Sequence, residues 1–236
     1  MNTLTGTVIT SAQLTEERID RMVHLMAKTY AGTSPQKVRR DLSNKQYILL
    51  LHNHENVLQG FSTIQLFDSE FRGRPVKILF SGDTVISEES RGHVALMHDW
   101  WQFTCQIQRQ FSDRDLYWML ISKGWRTYKF LPLFYKEFYP SRLHPTPPDF
   151  QEFMARLAEK KFPGEYHDGR IIPAEPDFLK NAETDVPPRK AQDPDILFFL
   201  SRNPDFGKGH ELVCLTRLAL DNLTPIGRRI LHDLVE

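Results

Sequence analysis

The sequence is poor in cysteine: Cys105 and Cys214 are the only two in 236 residues. Thiols so far apart, with no C-x-x-C spacing, cannot build a zinc site without help from histidine. With no export signal they read as free buried thiols rather than a disulfide. A charge excess is missing as well. Lys plus Arg numbers 30 and Asp plus Glu 30, so the formal net charge is zero, where a nucleic-acid binder shows a basic surplus. Apolar runs such as Tyr47–Leu51 fall far short of the roughly 20 residues that span a bilayer. No basic amphipathic helix marks a membrane surface. Met1–Ala12 has neither the basic nor the apolar stretch of a secretory signal. These absences point to a cytoplasmic chain with no nucleic-acid partner and no membrane span. What remains, a quarter charged and 40% apolar residues, is ordinary globular composition with enough apolar mass for one sizeable core.

Periodicity orders the elements. Thr7–Thr10 is a short β-branched strand. Leu14–Tyr30 is a helix capped by Thr15, with Glu16 and Glu17 where the helix dipole favours acids. Ser34-Pro35 opens a second helix, with proline at its first position. Three strands follow, Tyr47–Leu51, Val57–Phe67 and Val76–Ile86, joined by short polar links that imply an antiparallel meander. The pattern then switches: helix Gly92–Phe111, strand Leu116–Ile121, helix Gly124–Phe138 bent at Pro132. A strand–helix–strand unit places Leu116–Ile121 parallel to Val76–Ile86.

Ten of the fifteen prolines lie in Pro140–Pro194, which excludes a long regular element there. One helix, Asp149–Lys160, carries Phe150, Phe153, Met154 and Leu157 on one face. A segment this long is functional or disordered. We expect it to dock beside a cleft; a homodimer contact is the alternative. Ile196–Leu200 and Glu211–Leu215 read as a closing hairpin around Asn203–Gly209. Thr224-Pro225 opens a last helix with Ile226, Ile230, Leu231 and Leu234 inward.

This order of elements resembles the GNAT acyltransferase superfamily. Two local stretches carry the resemblance further. Val85-Ile86-Ser87-Glu88-Glu89-Ser90-Arg91-Gly92 looks like the family's fourth strand, its turn and the start of the helix that receives the coenzyme pyrophosphate. Phe134-Tyr135-Lys136-Glu137-Phe138-Tyr139-Pro140 looks like the family's Tyr-containing end of the next helix. The resemblance implies an α/β fold: a single GNAT-like domain over 1–236, with a mixed central sheet flanked by helices. Its core covers about 7–140 and 196–218, with a Pro-rich insertion at about 141–193 before the C-terminal hairpin and a C-terminal helix at about 224–235. The departures are specific. Val94 and Leu96 stand where the family keeps small residues that let backbone amides approach a pyrophosphate. Tyr128 stands about where many members carry an Asn that touches the coenzyme.

The chemistry implied is acyl transfer from an acyl-CoA, or an acyl-carrier-protein thioester, to a small-molecule amine. Arg91 and the amides of Gly92 and His93 would hold phosphate, or form only a polar helix start. The amide of Ile86 would polarise the thioester carbonyl. Strand alternation puts Leu79, Ser81, Asp83 and Val85 on one face. An aspartate in a central strand is disfavoured and costly to bury unpaired, so Asp83 either lines a cleft, where it would bind or deprotonate the amine, or pairs with a base such as Arg126. Gly82 marks a bulge or a close ligand approach. Tyr135 takes the place of the acid for the leaving thiolate, or is a core tyrosine among Phe130, Phe134 and Phe138. His52 and His54 share a face at metal-binding spacing, but with no third ligand nearby no metal is expected. All four tryptophans, Trp100, Trp101, Trp118 and Trp125, belong to the densest aromatic region, mostly core, with a surplus that would line an acyl pocket. Val94 and Leu96 motivate the alternative from another class: a degenerate module that binds a metabolite or protein partner without turnover. An open cleft lined by Asp83 favours catalysis; a plugged one favours binding.

Overall fold

A computed structural model of the protein describes residues 4–90, 95–180 and 185–232. Strand β1 (Thr5–Thr10) leads into helix α1 (Glu16–Thr29), where the Thr15 hydroxyl accepts from Arg18 N and caps the first turn. After the two-residue strand β2 (Tyr30–Ala31), helix α2 (Pro35–Ser43) begins as expected, with the Ser34 hydroxyl accepting from Lys37 N. The meander forms: β3 (Tyr47–His52), β4 (Leu58–Phe71) and β5 (Arg74–Ile86) pair antiparallel, and β1 adds to the outer edge of β3. Helix α3 (Ala95–Gln110) crosses back, and β6 (Asp115–Ser122) lies parallel to β5 from Val76↔Asp115 to Ser81↔Leu120. This parallel pair was the feature on which the fold expectation turned.

Two expectations are corrected beyond this point. The helix read over Gly124–Phe138 is two short helices, α4 (Trp125–Tyr128) and α5 (Phe130–Phe134). Pro132 has no N–H to offer the Tyr128 carbonyl, so the break falls a turn before the proline, at Lys129. Pro132 itself is third in α5, where an N–H would be unpaired anyway. The chain then becomes extended, and β7 (Phe138–Tyr139) pairs with a later strand. Helix α6 (Pro148–Lys161), strands β8 (Tyr166–His167) and β9 (Arg170–Ile171), and β10 (Phe178–Leu179) follow. The second correction is Ile196–Leu200, which is no strand but the middle of helix α7 (Pro194–Arg202). The Asp193 carboxylate accepts from the amides of Asp195 and Ile196, and Pro194 takes the first helical position, a strong start signal. Strand β11 (Glu211–Arg217) therefore has no hairpin partner before it; it pairs antiparallel with β6, β7 and β9. Helix α8 (Pro225–His232) ends the described chain. Ile230 packs on the core, Ile226 is 40% exposed, and the Leu231 side chain and Leu234 lie outside the described residues.

The sheet order is β1-β3-β4-β5-β6-β11-β9-β8, with β7 also on β11, while β2 and β10 pair separately. It is mixed, mostly antiparallel and covered on both faces. One face presents Leu49, Ile64, Leu79, Trp118, Leu120 and Leu212 to α3, α4, α5 and α7. The opposite face is shared. Ile48, Leu50, Phe61 and Val85 pack on α1 and α2; Val76, Ile78, Phe80, Tyr117 and Val213 pack on α6. The apolar face of α6 is thus buried within the chain, with Phe153 stacked on Phe71 at 4.5 Å between ring centroids. No helix among the described residues is long and apolar enough to cross a membrane.

Candidate functional site

The site begins where two strands part. Pairing between β5 and β6 stops at Ser81↔Leu120, although β5 continues to Ile86. The β4–β5 register explains the divergence: Ile64 faces Ser81 but Ser62 faces Thr84, so Gly82 and Asp83 together oppose Thr63. That is a bulge, which bends its strand and raises the local twist. It also corrects the expected face assignment. One extra residue inverts the alternation, so Leu79 packs on the α3 side while Val85 packs on α1 and α2. Gly82 meets the first of the two expectations for it. It sits in the bulge, and a Cβ there would overlap Lys45 Nζ and come within 2.9 Å of Thr63 Oγ1. Trp118 Nε1 donates to Ser81 Oγ at 2.8 Å, holding β6 to β5 just where the fork opens.

Beyond the bulge the backbone of β5 is exposed on its β6 side. Ser87 N donates to Gln59 O at 2.7 Å. In an antiparallel ladder, hydrogen-bonded and non-hydrogen-bonded pairs alternate. The Ile86 N–H, whose residue faces Gly60, is therefore directed away from β4 and into the fork.

A cleft of about 1270 Å³ runs through this fork and reaches both faces of the sheet. Leu96, Met97, Trp100, Trp118 and Trp125 line it on the α3 side; Asp41, Lys45, Asp83 and Lys161 line it on the other. Glu175, Asp177 and Leu179 close one flank. This flank is tied down by β10 on β2, by Lys37 Nζ to Asp177 Oδ2 at 2.8 Å, and by Lys37 Nζ to Glu175 O at 2.7 Å.

The charges in the cleft are unusual in their depth. Lys45 is only 8% exposed. Its ammonium stands 5.1 Å from the centroid of the Phe80 ring, and that of Lys161 stands 5.0 Å from the same centroid. Burial, then the Lys45 charge, pushes the Lys161 ammonium down to about 8. Burial, then the Asp83 charge, raises the Asp41 carboxyl above its usual range. Deeper in, Lys123 Nζ pairs with Glu211 Oε1 at 3.1 Å, joining the ends of β6 and β11.

The structure brings some of the sequence-derived residues together and not others. Asp83 and Ile86 both line the cleft. Arg91, Gly92, His93 and Val94 lie outside the described residues. Leu96 is buried and lines the cleft wall. Tyr135 does not line it: the residue is buried between Trp101 (5.5 Å) and Trp118 (5.9 Å), and burial pushes its phenol far up. Tyr128 is likewise a core residue, its hydroxyl donating to Pro140 O at 2.9 Å. Asp41, Lys45 and Lys161 were not singled out from the sequence. Lys45 stands just before an apolar strand and Lys161 closes a helix with Lys160, both ordinary places for a solvated lysine.

No protein-family model matches the sequence, and no curated protein matches it. Solved structures that resemble the chain include a probable N-acyltransferase from Enterococcus faecalis V583, with 16% identity, 53% of this chain covered and a TM-score of 0.40. The match spans 31% of that protein's length. Another is YhbS from Escherichia coli, a GNAT family N-acetyltransferase solved in complex with CoA, at 11% identity over 52% of this chain and 66% of that one, TM-score 0.36. A third is ElaA from Escherichia coli, at 13% identity over 59% of this chain and 93% of that one, TM-score 0.39. On the order of its elements and the parallel pair at the centre of its sheet, the chain is similar in fold to the GNAT-type N-acyltransferases.

Proposed function

We propose that the protein transfers an acyl group from a coenzyme A or carrier-protein thioester to a small-molecule amine. The observation that carries this reading is the fork itself, with the Ile86 N–H directed into it and Asp83 lining the same cleft. The thioester carbonyl oxygen accepts from the Ile86 N–H, which stabilises the oxyanion as the amine attacks. Asp83 accepts the proton that the amine must lose; collapse of the tetrahedral intermediate then breaks the carbon–sulfur bond, and the coenzyme or carrier thiolate leaves and takes its proton from solvent. The cleft volume exceeds the roughly 300–1,000 Å³ of a site for one small ligand, which suits two substrates meeting from opposite faces of the sheet. Arg91 and the amides of Gly92 and His93 would receive the phosphates, directly before α3 in the chain. The surplus of tryptophan on the α3 side suits an acyl chain. Leu96, at a position the family keeps small, lines the cleft wall, which is the observation behind a binding-only reading; the open cleft beside Asp83 favours turnover over it.

Calorimetry with acetyl-, octanoyl- and palmitoyl-coenzyme A, and with an acylated carrier protein, tests the proposal. Binding of at least one donor is expected. Failure of all of them to bind removes the acyl-transfer reading.

A further inference from the structure

On the α1, α2 and α6 side of the cleft, Lys37 and Arg40 are spent on Asp177 and Glu175, which leaves Lys45, Lys161, Asp41 and Asp83 as a group whose arrangement selects among amines. Lys45, a largely buried residue, holds its Nζ beside the Phe80 ring at the cleft wall and makes no hydrogen bond or ion pair with it among the described residues. Lys161 Nζ shares the same ring and spends one of its donors on Gln65 Oε1. An ammonium has three donors, and burying one without an acceptor is costly. Two such groups beside one aromatic ring leave several donors at the cleft wall without a protein acceptor. The carboxyls form the complementary end. Asp83 acts on Asp41, and both act on Lys161. The two ends are close in the chain: Lys45 Nζ abuts the missing Cβ of Gly82, and Asp83 is the next residue. With all four ionised, the charges of these groups sum to zero. A ligand with one charge of each sign, a short distance apart, satisfies both ends at once. A dianion such as a phosphate would meet the two carboxyls at close range.

We propose that the acceptor is an amine that also carries a carboxylate, an amino-acid-like zwitterion, with the carboxylate held by Lys45 and Lys161 and the amino group at Asp83. This rests on the acyl-transfer reading for the word acceptor, but the site itself does not, because binding is measurable without a thioester.

The test is calorimetry of the full chain, without any acyl donor, against the twenty common L-amino acids and the decarboxylated amine of each. At least one amino acid is expected to bind about tenfold or more tightly than its amine, the gain of a charge-assisted hydrogen bond. Lys161→Met should abolish that advantage and leave the decarboxylated amine's affinity unchanged, while Lys161→Arg retains it. Lys161 is only half-buried at the end of its helix, and circular dichroism melting of each variant verifies that it folds. The proposal is overturned if no amino acid outbinds its amine, or if Lys161→Met keeps the preference. It is equally overturned if Lys161→Met weakens coenzyme A thioesters instead, which would make the lysines a donor site. If amino acids bind as described while no thioester does, acyl transfer fails and the zwitterion site stands.

Discussion

Asp83 and Lys161 are the two side chains whose replacement reads most directly on the chemistry. Asp83→Asn keeps size and hydrogen bonding but cannot accept a proton; acyl transfer should fall by about 10²–10⁴-fold, with thioester affinity unchanged in calorimetry. Lys161 supports a prediction in pH. Its folded value, about 8, lies below that of an exposed lysine. The unfolded chain therefore binds more protons between pH 8 and the ordinary lysine value, and stability rises with pH across that window. Below pH 8 the cost of the buried charge is fully present. Thermal melts of the wild type should show this rise, and Lys161→Met should flatten it; the neighbouring Lys45, Asp41 and Asp83 are common to both proteins. At this scale the sequence is half legible. Asp83 stood out because a carboxylate in a central strand conflicts with strand propensity. Lys45 and Lys161 conflict with nothing local, and only the tertiary packing of the α2–β3 connection and of α6 beside β5 brings them onto Phe80.

Among the elements, the parallel pair, the meander and the capped helices were readable because strand alternation, capping residues and link lengths all agreed. The failures have separate causes, and the break imposed by Pro132 is the first of them. A five-residue apolar run such as Ile196–Leu200 fits a strand or a buried helix equally by periodicity, and the decisive signal was the Asp193-Pro194 start before it. Asp193 also pairs with Lys129 at 2.8 Å, tying α7 to the α4–α5 break. Asp193→Ala should therefore cost about 1 kcal/mol through the lost cap alone, measured by urea denaturation. The bulge at Gly82–Asp83 was hinted at by the glycine, but its effect on which face each residue takes depends on the register with β4, which no single strand encodes.

For the molecule as a whole, the proline-rich segment is woven in rather than hung on. Its helix α6 covers part of one sheet face, β8 and β9 extend the sheet beyond β11, and β10 binds the α1–α2 connection. Lining one wall of the cleft, it makes the site dependent on the whole chain. Leu157, 1% exposed beneath α6, provides the measure: Leu157→Ala should cost about 2–5 kcal/mol by urea denaturation. A smaller loss would mean that α6 contributes little to the sheet it covers.

The concentration of indoles around the fork gives the protein a built-in optical reporter. Trp100, Trp118 and Trp125 line the cleft, while Trp101 packs away from it on Tyr135. Three of the four indoles therefore stand within reach of whatever enters, and water displaced from the cleft alters the surroundings of three emitters together. Steady-state fluorescence excited at the tryptophan band should shift on ligand entry, and Trp125→Phe should diminish that response without abolishing it. The same molecule's emission thus serves to follow entry and exit in stopped flow, with no added label.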